Sequence, residues 1–194
     1  MGFYIHVQDT PNPNAVKFIS FYTVKSTGKS NYKGAAEAEH VPLARALFEL
    51  DGVEQLYLFD NYITVSKRPD ADWSDLSTRI LDLLQRDLPV HDPDFLDPEP
   101  EEAPRPERTP EIAEIEEILD RTVKPYLAAD GGGIEVVERT GNRIFIKYQG
   151  ACGTCPSSIG GTLIAIQNVL RDELGPDIEV IETSGLLGQL HPEF

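Results

Sequence analysis

Cysteine is nearly missing from this 194-residue chain, with Cys152 and Cys155 its only two. Two thiols that close together exclude a disulfide framework as the device that holds the fold, and leave redox chemistry or soft-metal binding. Positive charge is scarce as well. Seventeen Lys and Arg stand against 33 Asp and Glu, a formal net charge of -16 that repels nucleic-acid phosphates and anionic lipid headgroups. No stripe of Lys and Arg with interleaved aromatics offsets it, so nucleic acid is not an expected partner. No apolar run approaches the length of a membrane span. The first residues, Met1 to His6, lack a basic region and a following apolar core, so no membrane association is expected and the chain is placed in the cytoplasm. His6 occupies the place where a myristoylation pattern has Ser or Thr, which removes lipidation. Histidine is sparse too: His6, His40, His91 and His191 are scattered, and none lies at a spacing that completes a metal site with the thiols.

With 40% apolar residues the chain is long enough for two small domains, each with its own core. The boundary falls in PVHDPDFLDPEPEEAPRPERTP, residues 89–110, where prolines remove backbone donors and crowded carboxylates favour solvation. This predicts an α+β protein of two sandwich-like domains, residues 1–88 and 110–194, joined by a stiff Pro/Glu/Asp-rich linker over residues 89–109.

In the first domain, alternating residues predict strands at 4–7 and 16–21, separated by Thr10-Pro11-Asn12-Pro13-Asn14. Leu43, Ala46, Leu47 and Leu50 share a helical face that begins at Pro42 and ends at Asp51-Gly52. Residues 56–59 and 62–65 flank Asp60-Asn61 as a hairpin, and Trp73, Leu76, Ile80, Leu83, Leu84 and Leu88 mark a second helix. In the other domain Thr109 caps a helix starting at Pro110, with Ile112, Ile115, Leu119 and Tyr126 on its buried side. Asp130-Gly131-Gly132-Gly133 ends that helix. Strands at 134–138 and 143–148 meet across Gly141-Asn142, a helix runs through Ile159, Leu163, Ile166, Leu170 and Leu174, and residues 178–181 form a last strand.

The thiols fall between a strand and a helix, with Pro156 at the first helical position, Cys155 near the N-cap and Cys152 in the preceding turn. The unpaired N–H groups of a helix start favour thiolate over thiol and donate hydrogen bonds to sulfur. Zinc sites, thioredoxin-like redox sites and iron–sulfur sites all use a CxxC. Closed metal sites need four ligands where one chain offers two thiols, so a two-fold dimer that brings two copies together supplies the set. Such a site, exposed at an interface, releases its cargo when another protein's thiolates replace the donors. Two alternatives stay open on these residues: a thiol–disulfide oxidoreductase and a zinc-stapled interaction module. No nucleophile–His–Asp arrangement or phosphate loop calls for an enzyme.

Asp130-Gly131-Gly132 followed by Gly150-Ala151-Cys152-Gly153-Thr154-Cys155-Pro156-Ser157-Ser158 resembles the NifU C-terminal (Nfu-type) iron–sulfur scaffold domain over residues 112–182. Thr10 to Asn14, Lys17-Phe18, Gly52-Val53, residues 59–65 and Asp72-Trp73 resemble the N-terminal domain that accompanies it. The resemblance implies a [4Fe-4S] cluster shared between two chains, bound through Cys152 and Cys155 of each, received from an upstream donor and passed to apo iron–sulfur client proteins without enzymatic turnover. Gly133 departs from the family pattern, which often has an acidic residue there. Gly160-Gly161 costs about 1 kcal/mol per glycine relative to alanine in a helix interior, and close backbone approach at a dimer interface is one explanation.

Overall fold

A computed structural model describes residues 3–98, 109–154 and 158–183. The chain divides into two compact units, Met1–Glu99 and Pro100–Phe194. Both are α+β.

The first unit runs β1 (His6–Asp9), β2 (Ala15–Ile19), β3 (Lys25–Tyr32), α1 (Pro42–Phe48), β4 (Val53–Asp60), β5 (Tyr62–Lys67) and α2 (Trp73–Asp87). Its five strands lie in the order β1-β2-β5-β4-β3, every neighbouring pair antiparallel. The predicted hairpin forms at Asp60-Asn61, with Phe59 opposite Tyr62 and Asp60 at φ 46°. Leu43, Ala44 and Leu47 of α1 and Leu76, Ile80, Leu83 and Leu84 of α2 are buried against Phe18, Leu56, Leu58 and Ile63. Each such large side chain contributes about 1.5–3 kcal/mol by leaving water. Asp72 caps α2 by accepting from the Ser74 N–H at 2.8 Å.

The Thr10–Asn14 turn is a packed junction. Thr10 Oγ1 donates to the Ala15 carbonyl at 2.8 Å, Asn12 Oδ1 accepts from the Asn14 N–H at 3.0 Å, and Trp73 Nε1 donates to the Pro13 carbonyl at 3.0 Å. Strand β3 was not predicted. Its sequence, KSTGKSNY, has no apolar alternation, and it is held as an edge strand by pairing with β4.

The acidic, proline-rich stretch is not extended from its first residue. After Asp87 the chain makes one 3-10 turn, Leu88–Val90, and residues 91–98 lie against the first unit as a strap. Lys25, 6% exposed, donates from Nζ to the Phe95 carbonyl and sits 3.7 Å from the centre of the Phe95 ring. His91 Nε2 donates to the Val24 carbonyl at 2.8 Å. Asp97 accepts from Ser30 Oγ at 2.5 Å and from the Tyr32 hydroxyl, with His40 Nε2 3.0 Å away. A ring and a carboxylate bind a segment that composition alone marks as solvated. Residues 99–108 lie outside the described residues.

The second unit comprises α3 (Pro110–Thr122), α4 (Lys124–Ala129), β6 (Gly132–Thr140), β7 (Arg143–Gly150), a 3-10 turn at Ala151–Thr154, α5 (Ser158–Leu174) and β8 (Glu179–Glu182). Strands β6 and β7 are antiparallel, and β8 joins β7 in parallel. Gly141 turns the hairpin at φ 60°. Ile112, Ile115, Ile118 and Leu119 of α3 meet Ile134, Val136, Ile144 and Ile146 of the sheet and Ile166 and Leu170 of α5 in one core.

One expected core residue is misplaced by the helical pattern. Tyr126 is 74% exposed and Leu127 is buried, because the single helix expected through Tyr126 is two helices. Pro125 has no N–H to give, and its ring opposes the carbonyl four residues earlier, so α3 stops at Thr122 and the buried face shifts phase. The register of β6 and β7 shifts between Val136 and Glu138, and the Val136 N–H there donates to Glu116 Oε1 at 3.1 Å.

Candidate functional site

Cys152 stands in the 3-10 turn that leaves the end of β7, and its side chain is buried. Its surroundings follow from the β6–β7 ladder. Gly132 opposes Gly150, and Ile134 opposes Tyr148. The two-residue period of a strand puts residues 132, 134, 148 and 150 on one face of the sheet, toward the core. Gly131, at φ 77°, follows the end of α4, and its carbonyl accepts from the Ala151 N–H at 3.2 Å, tying the turn back to the start of β6. The predicted helix stop at Asp130-Gly131 is therefore also one wall of the thiol turn.

Gly132 has a specific steric task. A Cβ on it would lie 2.5 Å from Cys152 Sγ, 2.8 Å from the Gln149 carbonyl oxygen and 2.9 Å from the Cys152 nitrogen. Only a residue without a side chain lets the sulfur rest there. Gly133 alternates to the opposite face, beside Gln149, whose Nε2 donates to Glu135 Oε2 at 2.8 Å. An acidic residue at 133 would thus point away from Cys152.

Cys152 is 6% exposed and belongs to the core cluster that includes Tyr148, which is 2% exposed. The Tyr148 hydroxyl and Gln149 Oε1 are buried with no hydrogen-bond partner among the described residues. An unpaired buried hydroxyl costs about 1–3 kcal/mol. Burial pushes the Tyr148 phenol well above its ordinary value, and the Cys152 and Glu182 charges act in the same direction. The hydroxyl therefore keeps its proton throughout the physiological range.

Cys155, predicted near the N-cap of the following helix, lies with Pro156 and Ser157 outside the described residues, as does His191; α5 begins at Ser158. Histidines of the first unit have other contacts: His40 with Asp97, His91 with the Val24 carbonyl, and His6 with the Tyr4 ring. Among the described residues no group of three or more His, Cys, Asp or Glu side chains is arranged to hold a metal ion. The sequence reading missed Gly132, which it took only as part of a helix stop, and Tyr148, which it took only as a strand end. The pairing of the DGG segment with the strand leading into the CxxC is the signal that would have found both.

Fold and site define a two-unit α+β protein that carries a thiol on a strand-to-turn junction cut to fit it by a glycine. The scaffold protein Nfu/NifU N-terminal family matches residues 5–89, and the NifU-like domain family matches residues 115–181. The chain belongs to the Nfu/NifU family of iron–sulfur cluster scaffold proteins, a family of scaffolds and not of enzymes. It is 34% identical over 189 residues to the NFU1 iron-sulfur cluster scaffold homolog, mitochondrial, of Homo sapiens, covering 92% of this chain and 71% of that one. It is 30% identical over 191 residues to the protein of the same name from Drosophila persimilis, covering 92% of this chain and 64% of that one. The chain thus spans just under two thirds of the length of that relative. The solution structure of a NifU-like protein from Saccharomyces cerevisiae is similar at 28% identity and a TM-score of 0.45, over 50% of this chain and 87% of that one. Among the described residues no helix is long and apolar enough to cross a membrane.

Proposed function

We propose that this chain binds a [4Fe-4S] cluster as cargo through Cys152 and Cys155 of two copies, receives it from an upstream donor, and delivers it to apo iron–sulfur proteins. The observation that carries this reading is Cys152 Sγ resting on Gly132, a close approach that an ordinary core cysteine does not need. Each chain contains two cysteines, so two copies supply the four thiolates that such a cluster takes.

The helix after the thiols supports pairing of copies. On α5, Gly161, Ile164, Ala165 and Asn168 are exposed at helical spacing, Ile164 by 61%, and a Cβ on Gly161 would meet nothing within 4 Å. A small, partly apolar stripe lets a second α5 approach closely, which accounts for the glycines that an isolated helix would disfavour.

Delivery needs no acid or base from the chain. A client thiol gives up its proton, its thiolate bonds iron, and the Cys152 or Cys155 thiolate leaves and is reprotonated. Repeated at each ligand, this moves the cluster with its oxidation state unchanged. The same reading places the chain in the cytoplasm, where thiols stay reduced, while the relatives above are named as mitochondrial.

The test is transfer. Cluster-loaded chain mixed anaerobically with an apo four-iron protein is expected to restore the client's spectrum faster than free ferrous iron and sulfide do, and to go on doing so when a chelator captures free iron. Cys152→Ser and Cys155→Ser are expected to keep the far-ultraviolet circular dichroism of the parent and lose transfer. Equal rates for parent and variants, or unfolding of either variant, contradict the reading.

A further inference from the structure

We propose that loading of the site gives the Tyr148 hydroxyl, which makes no hydrogen bond to Cys152 Sγ in the structure, a sulfur acceptor, the Cys152 thiolate or a sulfide of the bound cluster, and that this hydrogen bond sets the cluster's reduction potential. This rests on the cluster reading above. The ladder places Tyr148 opposite Ile134 and Gly132 opposite Gly150, so the tyrosine lies one pair along from the glycine that Cys152 Sγ rests on, and on the same face. Tyr148 and Cys152 share one buried core and are near enough to interact electrostatically.

The hydroxyl is the anomaly. It is buried in a residue 2% exposed, it has no acceptor among the described residues, and it sits among isoleucines where phenylalanine would fill the same space without an unmet polar group. A thiolate or sulfide is a negatively charged acceptor, and its arrival gives that proton a charge-assisted partner in a dry environment. Hydrogen bonds to the sulfurs stabilise the more negative, reduced cluster and raise its potential. Gln149, next along β7, alternates to the other face and bonds Glu135, so its side chain does not compete for the sulfur.

The experiment compares the full chain with Tyr148→Phe, each loaded with cluster from ferrous iron and sulfide and, separately, with cadmium-113. Tyr148→Phe is expected to unfold at the same or a higher denaturant concentration, to have a cluster midpoint potential more negative than the parent's, and to show a displaced cadmium-113 resonance. A variant that takes up cluster and cadmium with unchanged potential and resonance overturns the inference while leaving the cluster reading intact. If the parent binds cadmium on its thiols but no iron–sulfur cluster, the cluster reading fails and the cadmium resonance alone decides the contact. If it binds neither, both fail.

Discussion

Gly132 and Cys152 are so closely opposed that the smallest side chain at 132 would enter the space of the sulfur, a backbone oxygen and a backbone nitrogen together. Two of those three atoms are main chain, so Gly132→Ala cannot be relieved by rotating a side chain. The strand pair must open or the thiol turn must move. We expect Gly132→Ala to destabilise the protein by about 1–3 kcal/mol, the usual range for an overpacked site. Bound iron should fall more steeply than stability does, measured by urea unfolding and by metal analysis of the same preparations. A variant with parental iron content would show that the close approach has no bearing on the site. At this scale the cysteine spacing was legible in the sequence, because two thiols and nothing else to pair them leave few chemistries. Gly132 was not, since its task exists only once β6 lies against β7, and Tyr148 was not, since a tyrosine at a strand end is unremarkable until its hydroxyl is found buried without a partner.

Among the elements, periodicity located the helices α1, α2 and α5 and both hairpins, because each carries apolar residues at the spacing of its own geometry. It failed where a single residue overrode the pattern, as Pro125 does in dividing α3 from α4, and where an element has no apolar pattern, as in β3. It failed again in the strap, whose anchors are one ring and one carboxylate. Burial works to raise the Asp97 carboxyl, but hydrogen bonds from Ser30, Tyr32 and His40 and the charge of Lys25 outweigh it and hold Asp97 below its ordinary value. A carboxylate depressed in the folded state stabilises most at pH above its unfolded value, near 3.9, and loses that contribution as pH falls through the folded one. Backbone amides of residues 91–98 should therefore lose hydrogen-exchange protection, relative to the β4–β5 hairpin, as pH is lowered below about 4. Asp97→Asn should lose about 1–3 kcal/mol of that protection at neutral pH, leaving Lys25 buried beside a neutral partner; equal protection in parent and variant would count against the assignment. On α5, Ile164→Glu places a charge in the exposed stripe. It should leave the unfolding midpoint of the cluster-free chain unchanged while weakening cluster-bound pairing at least tenfold, about 1.4 kcal/mol, by analytical ultracentrifugation. Unchanged pairing would move the dimer contact elsewhere.

For the whole molecule, the division into two α+β units was legible because the Pro/Glu/Asp-rich stretch cannot build a core, and the family was legible because its motifs run through both units. Where the linker starts was less so: composition reports what a segment tends to do alone, and residues 91–98 are held by residues far from them in sequence. The pairing of copies is a property of two chains, and a single sequence reaches it only by counting ligands. That count is the central claim, and the most direct measurement of it is iron, acid-labile sulfide and zinc content together with molar mass, on protein purified and reconstituted without oxygen. The account predicts about four iron and four sulfide per dimer, lost together with the dimer in Cys152→Ser and in Cys155→Ser. Stoichiometric zinc, or a metal-free monomer whose thiols cycle with a disulfide, would contradict it.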